Sequence, residues 1–206
     1  AGNDVLCIII SSKLSGTINA ARAAAAQFPG AAIEVFDSQT AAGGLGLMVM
    51  RAAELNARDA GMPSILAALE HERVTQRLYA CLADLSHVQR TGRIGKAQAV
   101  IGTLMKIVPV LALKDGAVEA QAQVRTFARA TETMLDLTLA AAPDISRARF
   151  LVMHTNAPEL AQKTLEKLRE RLGALQPRML DVLEAGPVIA THGGPGAVGI
   201  FVATDE

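Results

Sequence analysis

Residues Val5 to Ile10 form an unbroken apolar run rich in β-branched side chains, and beyond Ile10 the pattern changes abruptly. The hydroxyl-bearing stretch SSKLSGT leads into an alanine-rich segment, Ile18 to Gln27, that stops at Pro29-Gly30. The order reads as a buried strand, a polar turn, a helix and a stop. It is then repeated. Ala32 to Phe36 is a second strand, Asp37 to Gly44 a polar turn, and Leu45 to Ala60 a helix closed by Gly61. Strand and helix in alternation imply a parallel sheet with crossover helices.

Pro63 suits the first turn of a further helix, Ser64 to Arg73, after which the rhythm changes. Arg77 to Ala83 reads as a strand, Gly95 to Met105 as an amphipathic helix and Val108 to Leu113 as a strand. Asp115-Gly116 then turns tightly into Ala117 to Gln123, the pattern of a β-hairpin, so antiparallel pairing enters the second half. Phe127 to Ala142 and Pro158 to Leu172 read as helices, the latter with Leu160, Leu165, Leu168 and Leu172 on one face. Arg149 to His154, Met179 to Leu183, Val188 to Thr191 and Val198 to Ala203 read as strands. The expectation is an α/β protein of two lobes. Residues 1–75 give a parallel-sheet α/β/α lobe, and residues 76–206 an α+β lobe with a mixed or antiparallel sheet packed against helices. The chain starts without Met and enters a buried-type strand almost at once, which reads as a first lobe lacking an upstream segment.

Half of the 206 residues are hydrophobic, enough for an apolar core in each lobe. Twenty basic and twenty acidic residues cancel, and there is no Trp and a single Tyr, which argues against a nucleic-acid partner. Cys7 and Cys81 lie inside apolar runs, where a thiol behaves as a small hydrophobe, and give no disulfide framework. No run approaches the roughly 20 apolar residues of a membrane span, so the expected location is the cytoplasm.

Three segments hold candidate chemistry. Ser11, Ser12, Ser15 and Thr17 place hydroxyls where a strand meets a helix N-terminus, a setting suited to a carboxylate or phosphate, or simply to helix capping. The second is Thr191-His192-Gly193-Gly194-Pro195-Gly196, where glycines permit close backbone approach and His192 can donate to an anion; a plain β-turn reads equally well. The third is the basic turn Arg90-Thr91-Gly92-Arg93-Ile94-Gly95-Lys96. With Lys106, Lys114, Arg125 and Arg129 it makes one positive face, either solvated surface or a meeting place for anionic headgroups or an acidic partner. Serine-hydrolase elbows, phosphate loops and metal-ligand spacings are missing from the sequence. Gly44-Leu45-Gly46 lacks the spacing of a dinucleotide fingerprint and is read as helix packing.

In order, ISSKLSGT, VFDSQTAAGGLGLMV, ADLSHVQRTGRIGKAQAVIGTLMKIVPVLALKDG, VRTFARA and THGGPGAVGI resemble the successive blocks of DegV proteins over nearly the whole chain. That resemblance implies a bacterial lipid carrier whose lobes clasp a long-chain fatty acid. It has no cofactor or catalysis of its own, and it presents the acyl carboxylate to a separate fatty acid kinase, with transient contact at a membrane surface. It assigns Ser11, Ser12, Ser15, His192 and Gly193 to the carboxylate, with Ser12 foremost. Arg90, Arg93 and Arg125 fall at the headgroup or partner-facing end. The family also has an upstream TSxPS segment with no counterpart in these residues. The alternative is an acyl hydrolase or phosphotransferase using Ser12 and His192, with Asp37 as the sole nominee for an orienting group.

Overall fold

The computed structural model describes residues 3–97 and 107–205. Its first part alternates strand and helix as expected: β1 (Val5–Ile9), α1 (Thr17–Ala25), β2 (Ile33–Asp37), α2 (Ala42–Asn56) and α3 (Met62–Thr75). β1 and β2 pair in parallel, with Cys7 opposite Val35. The apolar sides of this small sheet and the helices meet in a cluster of Phe36, Met48, Ala52, Ile65 and Leu69.

The remainder builds a mixed six-stranded sheet. Its strands are β3 (Arg77–Cys81), β4 (Val108–Lys114), β5 (Ala117–Val124), β6 (Ala148–His154), β7 (Met179–Glu184) and β8 (Val198–Thr204), in the order β5-β4-β3-β8-β6-β7. Among the described residues of this sheet only β6 and β7 run parallel; the other pairs are antiparallel. The β4–β5 hairpin turns at Asp115 (φ 48°) and Gly116 (φ 79°), the paired left-handed conformations that favour Asp-Gly at a two-residue connection. Helices α4 (Ser86–Arg90), α5 (Phe127–Ala140), α6 (Pro158–Leu172) and α7 (Pro187–Gly193) complete these elements.

The two faces of the large sheet are filled differently. Tyr79, Cys81, Val110, Phe150, Val152 and Ile200 point to one side, where Met134 and Leu135 of α5 and Leu165 and Leu168 of α6 close the main core. On the other side Leu151, Phe201 and Ala203 receive Leu47 of α2. Helix α2 therefore serves both sheets, Met48 facing the small one and Leu47 the large. Gly43 and Gly44 make this approach possible. A Cβ at Gly43 would stand 2.6 Å from Met153 Sδ and 2.8 Å from Leu151 Cδ2, and one at Gly44 2.3 Å from Gln76 Oε1. Of the glycines read as helix packing, Gly44 has that role and Gly46 does not, since a Cβ at Gly46 would meet nothing within 4 Å; α2 starts at Ala42, three residues before the expected Leu45.

Charge holds the same junction. Arg149 on β6, 3% exposed, donates to Glu54 of α2 at 2.8 Å and to Asp205 at 3.1 Å. Arg178 joins both carboxylates, and Arg51 of α2 lies 3.9 Å from Asp205. Hydrogen bonding from Arg149 is the main reason that the Glu54 carboxyl sits below its ordinary value.

One expected strand is a helix. Val188 to Thr191 lies within α7, because Pro187 occupies the first helical turn and Gly194, at φ 71°, ends it. Ile189 and Ala190 both donate their N–H groups to the Gly186 carbonyl at 3.1 Å. The expected helix Gly95 to Met105 is a 3-10 turn at Gly95–Ala97, and its continuation falls outside the described residues.

Glu72 of α3, 5% exposed, accepts a hydrogen bond from Gln76 Nε2 at 3.2 Å and faces Arg149, Asp205 and Arg51. Burial outweighs the arginines and pushes its carboxyl up from 4.5 to about 7. The folded state thus holds this proton more tightly than the unfolded chain. Stability from this group is complete below pH 4.5 and is lost as the pH rises through about 7, by roughly 3 kcal/mol in total. Glu72→Gln should flatten that decline, so in urea denaturation the variant should exceed the parent at pH 8 and match it at pH 4.5.

Candidate functional site

A cavity of about 290 Å³ opens on the less filled face of the large sheet. Its floor is made by Leu78 and Ala80 of β3, Leu111 and Leu113 of β4, and Gly199 and Phe201 of β8. Ile10, Leu14 and Ala41, from the loops after β1 and β2, and Ala42 at the start of α2 form the opposing wall, while Ile189, His192 and Gly193 approach from α7. Ser15, Arg93, His154 and Thr155 join His192 among the polar residues of this otherwise aliphatic lining.

The hydroxyl-rich turn divides its serines between tasks. Ser11 is fully buried, donates its Oγ–H to the Gly116 carbonyl at 2.7 Å and accepts the Lys13 N–H at 3.2 Å. It ties the β4–β5 turn to the loop after β1 and is not part of the cavity lining. Ser12 is exposed, also outside the lining, and donates its backbone N–H to Asp37 Oδ1 at 3.2 Å. Ser15 lines the cavity, with its hydroxyl 2.8 Å from Thr17 Oγ1 and accepting the Thr17 N–H at 3.3 Å. Helix α1 starts at Thr17 behind Gly16, which gives it no side-chain cap.

His192 lies in the last turn of α7, with Nδ1 buried and without a hydrogen-bond partner among the described residues. Burial first, and the Arg93 guanidinium second, lower its pKa, so the ring is neutral near pH 7. Arg93 lines the cavity and donates to the Thr91 carbonyl at 2.7 Å. Arg90 and Arg125 do not line it; Arg90 lies 3.2 Å from His87 Nδ1, and Arg125 is exposed after β5. The positive face is partly neutralised by a 2.9 Å pair between Lys96 and Glu119, and Lys106 is outside the described residues.

Thr155 escaped the sequence reading. It is buried at the end of β6, donates its hydroxyl to the Gly194 carbonyl and accepts the Ala197 N–H at 3.2 Å. Gly196 donates to the Thr155 carbonyl at 2.8 Å. These bonds fix the glycine turn behind His192. The His87 ring lies against the same turn, where a Cβ at Gly194 would come within 2.6 Å of it. The only sequence signal for Thr155 was a hydroxyl directly after an apolar strand.

A catalytic triad is poorly served by this layout. Burial would raise the Asp37 carboxyl, but hydrogen bonds from the Ser12 side chain and from the Gln39 and Ser12 N–H groups, with Arg73 nearby, hold it below its ordinary value. Asp37 is engaged with Ser12, while among the described residues His192 Nδ1 has no carboxylate partner of the kind that orients a catalytic histidine.

A family model described as "Uncharacterised protein, DegV family" matches residues 1–205. The chain belongs to the DegV family. A DegV domain-containing protein of Clostridium acetobutylicum is 32% identical over all of this chain and 72% of its own length. One from Mycobacterium tuberculosis is 35% identical over 98% of this chain and 70% of its own. Among solved structures, the fatty-acid-binding DegV family protein of Thermus thermophilus superposes with a TM-score of 0.88 at 37% identity, covering 98% of this chain and 71% of that one. DegV of Bacillus subtilis, described as a fatty acid binding protein, gives 0.83 at 32% identity with the same two coverages. No helix among the described residues is long and apolar enough to cross a membrane.

Removing the Ser11 hydroxyl leaves the buried Gly116 carbonyl without its donor. Ser11→Ala should lower unfolding free energy by about 1–3 kcal/mol while keeping the native circular dichroism spectrum. Urea titration measures it, and an unchanged midpoint would show that the bond contributes nothing net.

Proposed function

We propose that this chain is a cytoplasmic carrier that holds one long-chain fatty acid in the cavity, between a lobe of residues 1–75 and a lobe of residues 76–206. The observation that carries the reading is the buried Nδ1 of His192, which has no hydrogen-bond partner among the described residues, in a mostly apolar lining. A buried polar atom without a partner is costly, and an incoming carboxyl group supplies one. Arg93 adds positive charge at the same cavity, and Ser15 a hydroxyl. In this reading His192, Arg93 and Ser15 meet the head, Gly193 lets it approach, and Ser12 and Arg90 act from beside the cavity.

The driving force comes from the tail. Roughly sixteen methylenes at about 0.8 kcal/mol each give about 13 kcal/mol before ordering costs. The head then needs only a few donors to fix direction. The relatives from Thermus thermophilus and Bacillus subtilis, both described by fatty acid binding, support the assignment.

Solvent extraction of the purified protein and mass spectrometry should return fatty acid in near equimolar amount, or added palmitate or oleate should bind. An empty protein that also refuses both acids ends the reading. His192→Ala should weaken oleate binding by about tenfold to a hundredfold, the worth of a hydrogen bond to a charged group. Turnover of acyl esters that disappears in Ser12→Ala, with no lipid retained, would instead favour the hydrolase.

Presentation of the carboxylate to a fatty acid kinase rests on the family resemblance and belongs to this proposal. Arg125 is exposed and away from the cavity, whereas Arg93 lines it. Arg125→Glu should therefore reduce acyl phosphate formation with a partner kinase and leave bound lipid unchanged. Arg93→Glu should lower lipid content as well, and identical behaviour of the two would contradict the division of roles.

A further inference from the structure

The pairing register explains why the large sheet has a hollow. Leu111, Ala80, Gly199 and Met153 stand side by side across β4, β3, β8 and β6, and all four line the cavity. The two central positions of this row carry a methyl group and a hydrogen. The next row on the same face is Leu113, Leu78, Phe201 and Leu151, large at every position, and its last two members are locked against Leu47 of α2. In the other direction along β3, Leu82 stands beneath the turn that bears His192, with a Cβ at Gly193 3.9 Å from its Cδ2. The small pair thus lies between the polar end of the cavity and a wall of large side chains.

Gly199 is fixed by its surroundings. A Cβ there would fall 3.1 Å from Ala80 Cβ, 3.2 Å from Leu78 Cδ1 and 3.2 Å from the Tyr79 carbonyl, so depth at this point depends on position 80. Ala80 is half-buried and its side chain faces the open space.

Resting on the carrier reading above, we propose that Ala80, seated against Gly199, determines which acyl chains this protein accepts. A chain held by its head at His192 crosses the Ala80–Gly199 trough before it meets the Leu78–Phe201 wall. A larger side chain at position 80 blocks that crossing. Acids short enough to end before the trough keep their contacts, and longer ones must leave methylenes outside. Each methylene kept out of the cavity gives up roughly fourfold in affinity.

Binding of hexanoate and palmitate to the parent chain, Ala80→Val and Ala80→Leu, by calorimetry or by displacement of a fluorescent fatty acid, tests this. Palmitate affinity should fall by at least about tenfold in Ala80→Leu and less in Ala80→Val, while hexanoate changes by less than about threefold. Thermal unfolding of each variant shows whether the fold is kept, and the valine variant adds the smaller volume. Equal losses for both acids, or no loss for either in a folded variant, would overturn the role given to Ala80. A parent chain that binds neither acid would overturn the carrier reading and this inference with it.

Discussion

A six-stranded sheet presents two apolar faces, and both must be covered. α5 and α6 fill one face of the large sheet to completion, burying Phe150, Val152 and Ile200. The opposite face relies on elements that serve more than one purpose. α2 reaches it through Leu47 while Met48 packs toward the small sheet, and α7 leans in with Ile189 and His192. Where these partial covers stop, the row containing Ala80 and Gly199 leaves space. The cavity is a consequence of how this second face is shared.

The ionic cluster around Arg149 bears on the same sharing. Arg149 emerges from β6 on the face that meets α2, and its partner Glu54 belongs to that helix. A guanidinium buried this deeply is tolerable only with its hydrogen bonds satisfied, and Glu54 and Asp205 supply them. Arg149 therefore favours one seating of α2 on the sheet, and α2 in turn begins directly after Ala41, a residue of the cavity wall.

Much of the fold was legible because its signals are local. Apolar runs bounded by Gly and Pro marked most strands, and Asp115-Gly116 named its own hairpin. Val188 to Thr191 misled because three apolar residues and a threonine fit a strand or a helix, and only Pro187 and Gly194 decided between them. The site was legible in part. His192, Gly193, Ser15 and Arg93 all line one cavity, although they come from three separate stretches of chain. What separated Ser11 from Ser15 lay far away in sequence: Ser11 meets Gly116, and no local pattern announces a partner 105 positions distant. Thr155 and Glu72 were missed for the same reason, since their importance comes from neighbours brought by other elements.

The Ser11–Gly116 bond also bears on the order in which the molecule is made. Closing a loop of that span is entropically expensive until both ends have been brought near each other by other contacts. Each sheet can begin from pairings close in sequence, β1 with β2 and β4 with β5, whereas the serine clasp must wait for both. The β3–β8 pairing that floors the cavity, with Arg77 opposite Val202, closes a longer loop still, so by the same entropic argument both the floor and the serine bond of this enclosure depend on contacts closer in sequence being made first.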